Sequence, residues 1–304
     1  MSDLPRVVAV LGAGTIGSGW AALFASRGAD VRIVDPDPAA PARARRALVC
    51  ARTLVPQHGT PGRIEPVDTL REALRDAAWV QESLPESLSL KRRVLASLGN
   101  QLESDAVIAS STSTFTPSEL CVGLPFAPRL LVVHPLHPVY AVPVVELCVS
   151  PETSRLTTER AMRVLRAVGR EPILVRGEVP GLVANRLTAA LLRESLDLVG
   201  RGVVSASELD RLVARGVALG WATVGPLATE RLGSGSLESF LDRYAEPLSR
   251  LWESLAQWHM LDDDLREAVV RSLSSTADDD ADSADECAWA GALARLLRHD
   301  DAER

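Results

Sequence analysis

Val7-Val8-Ala9-Val10-Leu11-Gly12-Ala13-Gly14-Thr15-Ile16-Gly17 opens the chain with a short β-branched run and three spaced glycines, and Trp20 to Arg27 follows with helical character. The run reads as a buried parallel strand, the glycines as a tight turn, and the rest as the helix leaving it. Side chains at Gly12 and Gly14 would hold the backbone away from a pyrophosphate. Gly17 lets the helix lie close, with its N-terminal dipole facing the phosphates. The next apolar run, Val31-Arg32-Ile33-Val34, ends on Asp35. A carboxylate there accepts hydrogen bonds from a ribose diol and repels a 2′-phosphate, which predicts NAD rather than NADP. Gly12, Gly14, Thr15, Ile16, Gly17 and Asp35 are therefore the expected cofactor-binding residues.

Working outward, the alternation continues. Pro38 to Val55 has helical spacing, Pro56 to Gly62 is a loop, Ala78 to Glu82 reads as a strand, Leu88 to Leu102 as a helix and Ala106 to Ser110 as a strand. Runs at Leu130–Val133, Val142–Leu147 and Pro172–Val175 are further strands, with a helix from Ser154 to Val168. Strand and helix in turn predict a parallel, doubly wound Rossmann-type sheet. From Pro180 onward only helical spacing remains, over 181–200, 205–219, 237–258, 262–273 and 287–297. The expected organisation is α/β: residues 1–179 as the dinucleotide-binding domain, then 180–304 as an all-helical substrate and dimerisation domain. The acidic stretch Ser274 to Glu286 reads as a solvated loop.

Bulk properties narrow the function. A formal net charge of −7 over 304 residues supplies no electrostatic footprint for nucleic acid. No apolar run approaches a membrane span, and Met1 to Pro5 lead straight into the first strand, so a cytoplasmic protein with no membrane association is expected. Cys50, Cys121, Cys148 and Cys287 lack paired metal spacing and read as reduced, packed thiols, with no metal expected. Lys91 is the only lysine; beside Arg92 and Arg93 it reads as part of a solvated helix face.

In doubly wound sheets ligands sit beyond the carboxyl ends of the strands, so polar groups that follow apolar runs are the candidates for chemistry. Ser110 to Thr114 follow one strand, His134 ends another, and Asn185 lies in the first turns of the helix opening the second domain. Removing a hydroxyl proton during hydride transfer needs a base, and histidine is best matched to neutral pH. A carboxylate that fixes the imidazole tautomer improves such a base. Glu146 can supply it if the turn from Pro135 to Tyr140 brings the following strand back beside His134. Read locally, His134 is first of all a packed, hydrogen-bonded histidine. Glu82 lies at a strand end facing the same crevice and is a further cofactor-side candidate, whereas Glu86 reads as a helix-start carboxylate.

Three segments, Ala109-Ser110-Ser111-Thr112-Ser113, His134-Pro135-Leu136-His137-Pro138 running to Val145-Glu146, and Gly181-Leu182-Val183-Ala184-Asn185-Arg186-Leu187, occur in the order and at the spacing of the L-3-hydroxyacyl-CoA dehydrogenase superfamily. The resemblance covers nearly the whole chain. Val80 to Glu86, His134-Pro135 with Val139-Tyr140, and Gly225-Pro226-Leu227 are similar to the branch that contains L-carnitine dehydrogenase and the lambda-crystallin type L-gulonate 3-dehydrogenase. It implies an NAD-dependent enzyme that oxidises a small L-3-hydroxy acid. It further implies His134 as general base, Glu146 as its partner, Ser113 and Asn185 as hydrogen-bonding groups around substrate and nicotinamide, and a homodimer formed through the helical half. Trp221, Trp252 and Trp258 suit that interface or a core equally. His137 departs from the resemblance, which has asparagine there; it is either a packed substitute or a residue that reshapes the pocket.

Two other readings stay open on the sequence. The 3-hydroxyacyl group can be carried on CoA or an acyl carrier protein, with Arg43, Arg45, Arg46 and Arg52 as the basic strip, or the chain can be a non-catalytic nucleotide-binding protein. The assignment of Asp35 is directly testable. Asp35→Ser should lower the preference for NAD over NADP by on the order of tenfold, the worth of one charge-assisted contact, measured as a ratio of dissociation constants.

Overall fold

A computed structural model describes residues 3–54, 60–275 and 286–301. Its first part alternates β1 (Val7–Leu11), α1 (Thr15–Ser26), β2 (Asp30–Val34), α2 (Ala40–Leu54), β3 (Ile64–Pro66), α3 (Leu70–Leu74), β4 (Trp79–Glu82), α4 (Leu88–Leu98), β5 (Val107–Ser110), α5 (Pro117–Cys121), β6 (Leu130–Pro135), β7 (Val144–Cys148), α6 (Arg155–Ala167) and β8 (Glu171–Val175). The strands form one eight-stranded sheet in the order β3-β2-β1-β4-β5-β6-β7-β8. Helices cover both faces, so β1, β4, β5 and β6 are buried along their whole length, with polar residues gathered at the carboxyl ends of β4, β5 and β6. Strand order reverses between β1 and β4, which opens the crevice where a doubly wound sheet binds its ligand.

The expected parallel sheet holds from β3 through β6, but β7 runs antiparallel to β6, and β8 returns parallel to β7. The connection between β6 and β7 is too short for a crossover helix, so the chain can only turn back on itself. Short β3 was not legible, because Glu65 and Pro66 break any strand pattern in a segment of 3 residues.

Helices follow as α7 (Leu182–Gly200), α8 (Ala206–Leu212), α9 (Ala218–Val224), α10 (Pro226–Ser234), α11 (Leu237–Ser254), α12 (Asp263–Ser275) and α13 (Glu286–Asp301). The single helix expected over 205–219 is continued by a π-helical turn, Val213–Val217, and α9 and α10 break at Gly225, whose φ is 86°. Among the described residues no single helix is long and apolar enough to cross a membrane.

Two compact units result: residues 1–185 with 285–304, and residues 186–284. By compactness the first unit extends to residue 185, and it also takes in the last helix. There α13 packs on α2, Ala290 is fully buried, and Cys287 forms a disulfide with Cys50 at a Cα separation of 5.6 Å. That pair corrects the expectation of four reduced thiols. A sequence separation of 237 residues hid it, since only the fold brings the two together. Cys121 and Cys148 are free and buried, as expected. The acidic stretch 276–285 and loop residues 55–59 lie outside the described residues.

Within the second unit, Ala206 donates its N–H to Ser272 Oγ at 3.0 Å, Ala256 to Glu194 at 2.8 Å, and Trp258 Nε1 to Asp197 at 3.3 Å. Helices α9, α10 and α11 contain no buried residue.

The sheet carries the first unit's core. Leu131→Ala, at a fully buried position of β6, should cost about 2–5 kcal/mol and lower the urea midpoint of the first unit's transition.

Candidate active site

The glycine loop and Asp35 form one structure. Gly12 adopts φ 85°, and an added Cβ would stand 2.7 Å from the Ser83 carbonyl oxygen; at Gly17 it would stand 1.9 Å from the Gly12 carbonyl oxygen. Gly14 faces open space, where a side chain would project over the loop. Helix α1 begins at Thr15 with no side-chain cap and no acid in its first turn, leaving its amide N–H groups and positive dipole end for an anion. Ile16 is half-buried against the core. Asp35 accepts from the Ala13 N–H at 2.6 Å and from the Asp37 N–H at 2.7 Å. Its carboxylate joins the ends of β1 and β2 and retains lone pairs for a ribose diol. The loop fits a dinucleotide: Gly12, Gly14, Thr15, Ile16 and Gly17 would hold the pyrophosphate, and Asp35 the adenosine ribose.

Antiparallel pairing of β6 with β7 sets His134 directly opposite Glu146. His134 Nδ1 and Glu146 Oε2 lie 2.8 Å apart, with both side chains buried. The other carboxylate oxygen, Oε1, accepts from the Val183 N–H at 2.8 Å and the Ala184 N–H at 3.1 Å, the first free amides of α7. Leu182 reaches this geometry at φ 52°, a left-handed conformation that a leucine adopts only under constraint. Glu146 thus ties the base to the helix start on which Asn185, half-buried, is the next residue but one after Val183. With Nδ1 bound to the carboxylate, Nε2 is the nitrogen left for proton exchange.

A second polar cluster lies beyond β4 and β5. Lys91 is buried, and its Nζ donates to Glu82 Oε1 at 2.8 Å and to the Leu84 carbonyl at 3.0 Å while standing 3.3 Å from Glu86 Oε2. This corrects the reading of Lys91 as a solvated helix residue. Glu82 is fully buried; Oε1 also accepts from the Leu84 N–H at 2.7 Å and Oε2 from the Ser110 hydroxyl. Its carboxylate is engaged by these three donors at the carboxyl end of β4, beneath the crevice. Glu86 is likewise not the helix cap, a place taken by Ser87. Instead Glu86 Oε1 accepts from the Thr112 hydroxyl, from the N–H groups of Ser113 at 3.1 Å and Thr114 at 3.0 Å, and from the Thr114 hydroxyl at 2.7 Å. Ser113 is placed by this grip on its backbone, at the carboxyl end of β5. Sequence reasoning missed Glu86 and Lys91; a single lysine among 33 basic residues was the available signal.

The turn from β6 to β7 is also held. His137-Pro138 is a cis peptide, Val139 fits against Gly19 of α1, and the buried Arg170 donates to the Val139 carbonyl at 3.1 Å and to the Val142 carbonyl at 2.6 Å. Burial pushes the Arg170 guanidinium down to about 10, and the nearby Arg27 acts in the same sense. His137 packs on Trp289 with ring centroids 5.6 Å apart. Of the two readings left open for His137, the packed one matches this placement.

Comparison with known proteins agrees with these features. Residues 7–179 match the family described as 3-hydroxyacyl-CoA dehydrogenase, NAD binding domain, and residues 181–271 match 3-hydroxyacyl-CoA dehydrogenase, C-terminal domain. An L-carnitine dehydrogenase of Streptomyces griseus is 39% identical over 280 residues, covering 90% of this chain and 83% of that protein. A lambda-crystallin homolog of Bos taurus is 36% identical, covering 98% and 97%. The solved structure of 5-formyl-3-hydroxy-2-methylpyridine 4-carboxylic acid 5-dehydrogenase, an NAD+ dependent dismutase, superposes with a TM-score of 0.84 at 28% identity, covering 97% and 98%.

Burial alone would raise the Glu86 carboxyl, but the Thr112 and Thr114 hydrogen bonds and the Lys91 ammonium outweigh it and hold the group below the ordinary carboxylate range. A folded-state value below the unfolded one contributes stability above the unfolded value and loses it as pH falls through the folded value. Glu86→Gln should therefore melt at a lower temperature than the parent protein at neutral pH. The difference should narrow as pH drops below the ordinary carboxylate range, measured by thermal scans across pH.

Proposed function

The chain belongs to the 3-hydroxyacyl-CoA dehydrogenase family and is an NAD-dependent oxidoreductase of CH–OH groups, and on that premise we propose that its substrate is a small free L-3-hydroxy acid of the L-carnitine kind. Three relatives named L-carnitine dehydrogenase, at 36–39% identity, support the free acid. The observation that carries the mechanism is the buried His134–Glu146 pair at a strand end beside the crevice.

In this reading His134 Nε2 takes the proton of the substrate hydroxyl. Glu146 Oε2 keeps the other proton on Nδ1 and stabilises the imidazolium that forms, and the Val183 and Ala184 amides hold that carboxylate in place. Bound NAD supplies the acceptor for the hydride from C3. Ser113 and Asn185 serve as hydrogen-bonding groups around the substrate oxygen and the nicotinamide. In the reverse direction His134 returns the proton by microscopic reversibility. The carrier-bound alternative needs a free basic strip, and Arg43 is already committed to Asp37 and the Ala13 carbonyl.

The proposal includes a homodimer formed through the helical unit. Leu227, Leu232, Leu241 and Leu251 are 48–69% exposed, with Trp252 at 56%, which leaves apolar faces of α10 and α11 exposed among the described residues.

His134→Ala should lower kcat by about a hundredfold to ten-thousandfold with L-carnitine and NAD, while NAD binding stays within about twofold. Retained near-native turnover would overturn the assignment. Light scattering should give twice the 32.6 kDa chain mass, and a monomer across the micromolar range would remove the dimer.

A further inference from the structure

Neither the cofactor loop nor the His134 pair requires helix α13, yet its first turn is fastened to the segment that follows His134. Tyr140 donates its hydroxyl to Glu286 Oε1 at 3.1 Å, His137 Nε2 stands 3.8 Å from the same oxygen, and the Trp289 ring packs on the His137 imidazole. Between these, Cys287 is bonded to Cys50 of α2. The noncovalent contacts are individually weak: the His137 and Glu286 side chains are 34% and 46% exposed, a setting in which an ion pair contributes little. The disulfide adds a covalent fastening to this turn. It joins residues 237 apart in sequence and holds the start of α13 covalently to α2.

The bond is also within reach of solution. Cys50 and Cys287 line a cavity of about 500 Å³ together with Thr15, Ser18, Arg43 and Tyr140, so a small thiolate can approach them. That cavity touches both ends of the machinery: Thr15 begins the phosphate-facing helix, and Tyr140 closes the turn that returns from His134 toward Glu146.

We propose that Cys50–Cys287 is a redox-active pair, and that opening it frees α13 from the turn 137–140 and lowers turnover at His134. An external dithiol is the reductant. Its thiolate attacks one sulfur and the S–S bond breaks; its second thiolate then displaces the mixed disulfide. Two electrons and two protons end on the Cys50 and Cys287 thiols, and the reductant leaves as a cyclic disulfide. The inference rests on the reading of His134 as the base, and the latch itself is measurable without that reading.

The test uses the full chain purified without reductant, with the Cys50–Cys287 peptide verified by mass spectrometry before and after dithiothreitol, alongside Cys50→Ser. Amide exchange over 286–297 and 137–142, and kcat and KM for L-carnitine, are followed in parallel. Opening the bond, by reduction or by Cys50→Ser, should speed exchange in α13 by at least about tenfold and lower kcat/KM by at least about fivefold. An oxidised dithiol should restore the parent protein and not the variant. Unchanged exchange after verified opening, unchanged kcat/KM despite a released α13, or failure of the bond to form in oxidised dithiol would each overturn the proposal. If L-carnitine is not turned over at all while α13 still responds, the substrate reading fails and the latch stands.

Discussion

Glu146 is the residue on which the rest of the site depends. One oxygen of its carboxylate holds the His134 imidazole and the other receives two amide hydrogen bonds from the start of α7, so a single buried charge is neutralised from two sides. A buried carboxylate with fewer partners would be costly. The same carboxylate thus fixes both the imidazole and the amides of residues 183 and 184, so a displacement of those two amides reaches the histidine. The antiparallel reversal between β6 and β7 exists at that point of the sheet and puts the two residues opposite each other. The left-handed Leu182 is the local strain that this grip sustains.

The same logic, with opposite sign, organises the other side of the crevice. Lys91 brings one positive charge into a region that holds Glu82 and Glu86, and the hydroxyls and amides of residues 110–114 take up the remaining acceptor capacity. Two strand-end segments that share no sequence proximity are thereby bound as one rigid rim. Catalytic geometry in this fold comes from pairs of loops fixed to each other, with the sheet as their common base.

Much of this was legible in the chain. The glycine spacing and Asp35 identify the dinucleotide loop because each glycine answers a separate steric demand, and those demands appear in the structure at Gly12 and Gly17. His134 and Glu146 were legible as types of residue, and their adjacency followed once the intervening segment was read as a turn. Glu86 and Lys91 were misread because periodicity reports which face of a helix a residue occupies and says nothing about a charge held against its partners. The disulfide was out of reach for a different reason, since no local pattern links residues 237 apart. The break of 205–219 into α8, a π-turn and α9 likewise depends on packing rather than composition.

Lys91 has a consequence for anyone who handles the protein. It is the only side-chain amine in the chain, and it is 1% exposed with three oxygen partners. Amine-directed reagents therefore find this side chain shut away in the folded protein. Acylation of Lys91 by ordinary ester chemistry requires a molecule whose rim has come apart. The extent of Lys91 labelling becomes a built-in count of opened molecules.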